Sequence, residues 1–362
     1  MTNMSHIAVF AVFTIIVLLA LPFKAILACE GIKNVLIEVK ERETGERSNM
    51  TFSGCLERKN FGGKTITEIH IRNQNIPNIG KDYIRHLVRL DILELNNCKI
   101  KTIARGALRN LLRIRVVEVT HNLITEVTGG IYDVFNTIKI LRLNNNKISS
   151  MTDEALSNMT MTEVNFSHNE FREWKKVWFA YSPNIEIFDF SFNKIESIPQ
   201  RAFDGMPVLK EVDFSYNRIS SIGKEAFRAL KSLKVLNLKS NLLSSLNTNI
   251  FSSKISINTL NIASNNFFKL DLQEHRELTL EQIGIDHNPW SCPCMDNLHA
   301  WLNANQVTLL MSNDCGLTFL PVCIAADSCD TPPNGKGLEN YFNVINKLDY
   351  LQKKCIGLQS YY

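Results

Sequence analysis

Residues 185–195 read I-E-I-F-D-F-S-F-N-K-I. Apolar side chains occupy the first, fourth, sixth and eleventh places (Ile185, Phe188, Phe190, Ile195), and Asn193 holds the ninth. Sliding this pattern along the 362-residue chain finds it ten times. The ninth places are Gln74, Cys98, Asn122, Asn146, Asn169, Asn193, Asn217, Asn241, Asn265 and Asn288, always 23 or 24 residues apart. A helix bundle or an ordinary globular core has no reason to keep such a period. A stack of identical supersecondary units requires it.

The pattern has a physical logic. Side chains alternate along a strand, so the fourth and sixth places point one way and the third, fifth and seventh the other. Stacked units would pair their strands as a parallel sheet, about 4.8 Å apart. Val212 and Phe214 then lie beside Leu236 and Leu238, building an interior that no single unit could bury alone. A sharp turn follows each strand and strands backbone polar groups inside. A column of Asn carboxamides, each donor and acceptor, can satisfy them. Ten places after the ninth comes a second core anchor: Leu108, Leu156, Phe179, Phe203, Phe227 and Phe251. The unit resembles the leucine-rich repeat L-x-x-L-x-L-x-x-N-x-L. That resemblance implies an α/β-type horseshoe solenoid, with about ten short parallel strands on the concave face and irregular or short-helical convex legs.

Net charge is only +4 and no block of like charge stands out, so nucleic acid is not an expected partner. The apolar run Ile7–Leu21, followed by Pro22 and Ala28, reads as a secretory signal peptide over residues 1–28, cut before Cys29. A signal anchor is the competing reading, but fifteen apolar residues are short for a span of roughly 20. The expected product is secreted, with no stable membrane insertion. Nine cysteines in an exported chain imply bridges with one thiol left over.

Residues 29–64 precede the first clear repeat. Asn34–Lys40 and Met50–Cys55 read as the arms of a hairpin, closed by Cys29–Cys55, that covers the first sheet edge. The repeats occupy 65–290. Cys98 reads as a buried ladder thiol. The leg F-R-E-W-K-K-V-W-F-A-Y-S-P at 171–183 is unusually aromatic, and core filling by Trp174, Trp178 and Tyr181 is favoured over a lateral contact patch.

After the last repeat come Asn288-Pro289-Trp290-Ser291-Cys292-Pro293-Cys294, with Leu298, Trp301 and Leu302 at helical spacing. This resembles the cysteine-rich C-terminal cap of extracellular leucine-rich-repeat proteins and extends over 291–355, leaving a tail at 356–362. The resemblance implies bridges Cys292–Cys329 and Cys294–Cys355, with Cys315 and Cys323 as an extra pair. Leu338–Lys354 reads as a closing helix with Tyr341, Val344, Leu348 and Leu351 on one face.

The candidate binding residues lie on the concave face. Fifth places run from His70 through Glu94, Glu118, Arg142, Asn165, Asp189, Asp213, Asn237 and Asn261 to Gly284. Third-place Ile92, Val116 and Ile140 form an exposed apolar strip, and such strips tend to mark contact sites. Glu163, Asp189, Glu211 and Asp213 make an acidic middle flanked by eighth-place Phe192 and Tyr216, where a basic partner segment could dock. Catalysis is not expected: an open sheet neither excludes water nor shifts carboxylate pKa values much, and no G-x-S-x-G, H-E-x-x-H or phosphate loop is present. His121, His168 and His287 stand repeats apart, so no shared metal or other cofactor is expected. Sequons occur at Asn49, Asn158 and Asn165; Asn49 is placed in the cap's turn, and a glycan on Asn165 would restrict the concave face.

A short array with a two-cysteine front cap is similar to the leucine-rich immune proteins of insects, in the forms that lack a coiled coil. That likeness implies recognition of an extracellular protein or glycoconjugate in innate immunity, with another leucine-rich-repeat protein as one candidate partner. The alternative is an extracellular matrix or cell-adhesion component.

Overall fold

A computed structural model describes residues 31–129, 137–246, 248–251, 254–270, 272, 278–310, 322–330 and 332–359, with side chains of the last helix described as far as 347. The proposed leader, Cys29 and Cys315 lie outside the described residues, as do the side chains of Leu348, Leu351 and Cys355.

Ten parallel strands, one per repeat, form the body of a 13-stranded sheet among the described residues. They are β3 (Ile66–Arg72), β4 (Ile92–Asn96), β5 (Val116–Glu118), β6 (Ile140–Arg142), β7 (Glu163–Asn165), β8 (Ile187–Asp189), β9 (Glu211–Asp213), β10 (Ser232–Asn237), β11 (Ile255–Asn261) and β12 (Leu278–Gly284). Register is constant: Ile92 pairs with Val116 and Val116 with Ile140, as Phe188 does with Val212 and Val212 with Leu236. Equal repeat length enforces this, because a one-residue slip would turn the core-facing places outward. The convex side carries two-residue parallel strands, such as Ser197–Ile198 with Ser221–Ile222, and a 3-10 turn at Lys176–Phe179.

The Asn column does what its chemistry allows. Asn193 Oδ1 accepts from the Phe171 amide at 3.1 Å, while its Nδ2 donates to the carbonyls of Phe166, Phe190 and Ser191 at 3.0–3.1 Å. Asn217 and Asn241 repeat the pattern one and two units later. Cys98 keeps the place with a buried thiol whose Sγ donates to the Ile71 and Asn96 carbonyls. Burial pushes that thiol up to about 11. Gln74, at the first rung, uses its longer side chain differently: Oε1 accepts from the Leu36 amide at 3.2 Å, tying the ladder to the N-terminal hairpin.

That hairpin is β1 (Ile32–Glu41) and β2 (Arg47–Gly54). β1 pairs antiparallel with β3, so the first repeat has no open edge on that side. The return arm starts earlier than the sequence suggested, and Asn49 stands on β2 opposite Glu38, not in the turn. Cys55 is disulfide-bonded, while its expected partner Cys29 lies outside the described residues.

At the other end, β13 (Trp290–Ser291) leads into helix α1 (Cys292–Ala304), which buries Met295, Leu298 and Leu302 with Trp301 half-buried. Pro293 suits the first turn, where its missing N–H is not needed. β14 (Thr308–Leu309) extends the main sheet beside β12. The cap's bridges differ from those the resemblance implied: they are Cys292–Cys323 and Cys294–Cys329, not Cys292–Cys329, Cys294–Cys355 and Cys315–Cys323. The reason is a strand pairing that the sequence did not advertise. β13 pairs in parallel with β15 (Cys323–Ile324), matching Trp290 to Cys323, and this brings the Cα atoms of Cys292 and Cys323 to 4.9 Å. Helix α2 (Gly335–Gln359) buries Tyr341 but leaves Val344 47% exposed, so the closing face is narrower than its periodicity implies. Among the described residues no helix is long and apolar enough to cross a membrane.

The core is a continuous apolar column whose middle is aromatic. Trp174 and Trp178 are buried among Phe166, Phe171, Phe188 and Phe190, with ring centroids 4.6–5.9 Å apart along the contacts that join them. Tyr181 departs from the core-filling expectation: it sits at φ 57° and is 74% exposed.

Candidate functional site

The concave face divides into three sections. At the N-terminal end, Glu94 and His70 are buried, not presented to solvent. His70 Nδ1 lies 2.7 Å from Glu94 and its Nε2 3.2 Å from Glu68, while Arg47 and Lys40 reach Glu68 at 2.6 and 2.8 Å. Arg72 joins Glu94 and Glu38. Burial alone would raise the Glu94 carboxyl, but Arg72 and His70 hold it below its ordinary value; Lys40, His70 and Arg47 do the same for Glu68. The network stitches the hairpin to the first two repeats. Sequence reasoning missed it because its members come from β1, β2, β3 and β4.

Next, Ile92, Val116 and Ile140 lie in register and half-buried. Beside them Arg142 bridges Glu118 and Glu163, the latter at 2.7 Å. Glu118 and Arg142 therefore already satisfy one another, and a partner would have to compete for them.

The third section is different. On β7–β10 the fifth places read Asn165, Asp189, Asp213, Asn237 in direct register. Asn165 donates to Asp189 Oδ2 at 3.0 Å and Asn237 to Asp213 Oδ2 at 2.8 Å. The other oxygen of each acid accepts the amide and hydroxyl of the serine two residues on, Ser191 or Ser215, at 2.6–2.9 Å. Two carboxylates thus stand on adjacent strands with no cationic side chain paired to either among the described residues. Burial lifts the Asp189 carboxyl above its ordinary value and the Asp213 charge adds to this, against the opposing Ser191 hydrogen bonds. The open sheet was not expected to shift carboxylate pKa values much, and Asp189 is the fifth-place acid of this section that is moved upward.

Along the margin beyond the strand ends, His168, Phe192 and Tyr216 stack as a ladder. Ring centroids are 4.1 and 4.2 Å apart and the planes nearly parallel, at 10° and 8°. Phe192 is 41% and Tyr216 43% exposed. Their backbones adopt φ of 54°, as do all eighth-place residues to within a few degrees. Elsewhere that place holds Asn, His or Ser, and Asn and His are enriched in this region. A bulky aromatic at positive φ is an outlier whose cost something else must offset. The sequence had named Phe192 and Tyr216, but neither the stack nor His168 as its third ring.

Among the described residues no group of three or more His, Cys, Asp or Glu side chains could hold a metal ion. Of the sequons, Asn49 and Asn158 are exposed, whereas Asn165 is engaged by Asp189 and Ser167.

A family model described as leucine rich repeat matches residues 160–219 and 207–267, and one described as a BspA type leucine rich repeat region, in six copies, matches residues 54–186. No curated protein matches the sequence significantly. Among solved structures, a chain of the mouse RP105/MD-1 complex superposes with a TM-score of 0.55 at 19% identity, over 73% of this chain and 43% of that one. The chain therefore spans less than half the length of that relative. Human 5T4 (Wnt-activated inhibitory factor 1, trophoblast glycoprotein) gives a TM-score of 0.46 at 17% identity, over 75% of this chain and 91% of that one. With the ten-unit register, the buried Asn column and both matched models agreeing, the chain belongs to the leucine-rich-repeat proteins.

Proposed function

We propose that this chain is an extracellular binding protein that recognises a partner protein through the concave face of repeats five to seven. The supporting observation is the pairing of Asp189 and Asp213 with the exposed His168–Phe192–Tyr216 stack. An aromatic ridge offers large contact area with few rotors, and tyrosine is a frequent energetic anchor of interfaces. Beside it, carboxylates with no cationic partner among the described residues suit a lysine or arginine of the binding partner, whose arrival would oppose the upward push that burial gives the Asp189 carboxyl. A glycoconjugate carrying a basic group is accommodated by the same chemistry.

The extracellular assignment rests on the bridged cap, since disulfides persist in oxidising compartments. It accompanies the division proposed from sequence: leader 1–28, caps 29–64 and 291–355 around repeats 65–290, and tail 356–362. Innate-immune recognition is the finer reading and rests on the layout shared with insect leucine-rich immune proteins. The chain acts by binding, not by catalysis.

Crosslinking capture from extracellular fluid tests this. Three chains run side by side: the unsubstituted one, an Asp189→Asn, Tyr216→Asn chain, and an Ile92→Asp, Val116→Asp, Ile140→Asp chain. Loss of the partner from the second chain alone supports the acidic–aromatic site. Loss from the third alone moves the site to the apolar strip, and equal capture by all three rejects the concave face. A matrix or adhesion protein as the captured partner would replace the immune reading.

A further inference from the structure

The opposite margin of the concave sheet, at the N-terminal ends of β3–β6, carries a feature that the binding face does not use. Arg42, Arg89, Arg113, Arg115 and Lys139 line an open cleft of about 650 Å³, with Asp91 as the one acidic side chain among the described residues that line it. A second cleft of about 320 Å³ shares Arg42 and Arg89 and adds Arg58 and Lys64, so the basic surface continues from the hairpin to the fourth repeat.

Two of these cations are already answered: Arg115 forks onto both oxygens of Asp91 at 2.5–2.6 Å, and Lys64 pairs with Glu41 at 2.8 Å. Arg42, Arg58, Arg89, Arg113 and Lys139 make no ion pair among the described residues. Arg89 and Arg113 occupy the same place in consecutive repeats, so they project from stacked positions about 4.8 Å apart. Like charges held so close in one cleft repel each other and create a local field far larger than a net charge of +4 would suggest.

We infer that this cleft binds a sulfated polysaccharide. A guanidinium fork matches an oxyanion bidentately, and four of the five cations lining the larger cleft are arginines. The cleft's lining also argues against other anions. Among the described residues it has no aromatic side chain, so these offer the bases of single-stranded nucleic acid no stacking platform. Among the same residues its one large apolar side chain is Leu112, 64% exposed, which cannot enclose an acyl chain. This site is independent of the concave-face reading, and either can fail alone.

The test is binding of the full chain to immobilised heparin at about 150 mM salt, where weak surface attraction is screened. Arg89→Glu with Arg113→Glu should weaken binding by about tenfold or more, while Lys231→Glu with Lys254→Glu, the same charge change elsewhere, should alter it less than about twofold. Equal loss in both, or no binding by the unsubstituted chain, overturns the proposal. So does undiminished binding to desulfated heparin, or equal affinity for a single-stranded oligonucleotide of matched charge. If the Glu pair lowers Tm, Arg113→Ser carries the test: this side chain is exposed, and an affinity unchanged by its removal also overturns the proposal.

Discussion

Asn193 shows how much one side chain does in this fold. It closes four backbone hydrogen bonds in a place that water does not reach. Each buried group left unpaired costs about 1–3 kcal/mol, so Asn193→Ala should lower unfolding stability by about 2–4 kcal/mol in denaturant titration. A loss below about 0.5 kcal/mol would mean that relaxation or water replaces the carboxamide. Asp189 works in the other direction. Its folded carboxyl sits above its unfolded value, so ionisation penalises the fold. That penalty is complete above the folded pKa and disappears below the unfolded one. Asp189→Asn should therefore gain most on the unsubstituted chain near neutral pH, with the gain shrinking as pH falls through the raised pKa. A difference between the two that stays constant with pH would contradict this account.

Elements divide sharply in how far they were legible beforehand. Strands and the Asn column could be read residue by residue, because a period of 23 or 24 leaves one register that buries every core place. The C-terminal cap has no period, and its pairing follows from β13 meeting β15, a contact between two-residue strands with no pattern of their own. Cysteine spacing alone allows many connectivities. Peptide mapping under non-reducing conditions should recover Cys292 linked to Cys323 and Cys294 to Cys329; recovery of Cys292 with Cys329 would restore the family arrangement. The 171–183 leg lies between these cases. Its aromatic richness announced a core role for Trp174 and Trp178, but nothing in sequence separated them from exposed Tyr181.

At the scale of the whole molecule, the two margins of one sheet carry opposite characters. The margin at the strand starts of the first four repeats is cationic, and the strand ends of repeats five to seven carry the aromatic stack beside two acids. The acidic pair was visible as a fifth-place run, because that run reads directly off the template. The basic cleft was not: its cations come from the hairpin and from the second, third and fourth repeats, with only Arg113 and Arg115 close in sequence. Stacking brings them together, as it does the buried network around His70.

On the proposed reading, Phe192 and Tyr216 occupy a strained backbone place for the sake of binding. Releasing a bulky residue from that region should return about 1 kcal/mol per position, set against the loss of ring stacking. The direct measurement is partner affinity and Tm together for Phe192→Asn with Tyr216→Asn, Asn being a residue that other repeats carry at this place. Binding should weaken by about tenfold or more, as for interface anchors, with Tm unchanged or higher. Undiminished affinity with a lowered Tm would show that the stack serves the fold and that the partner binds elsewhere.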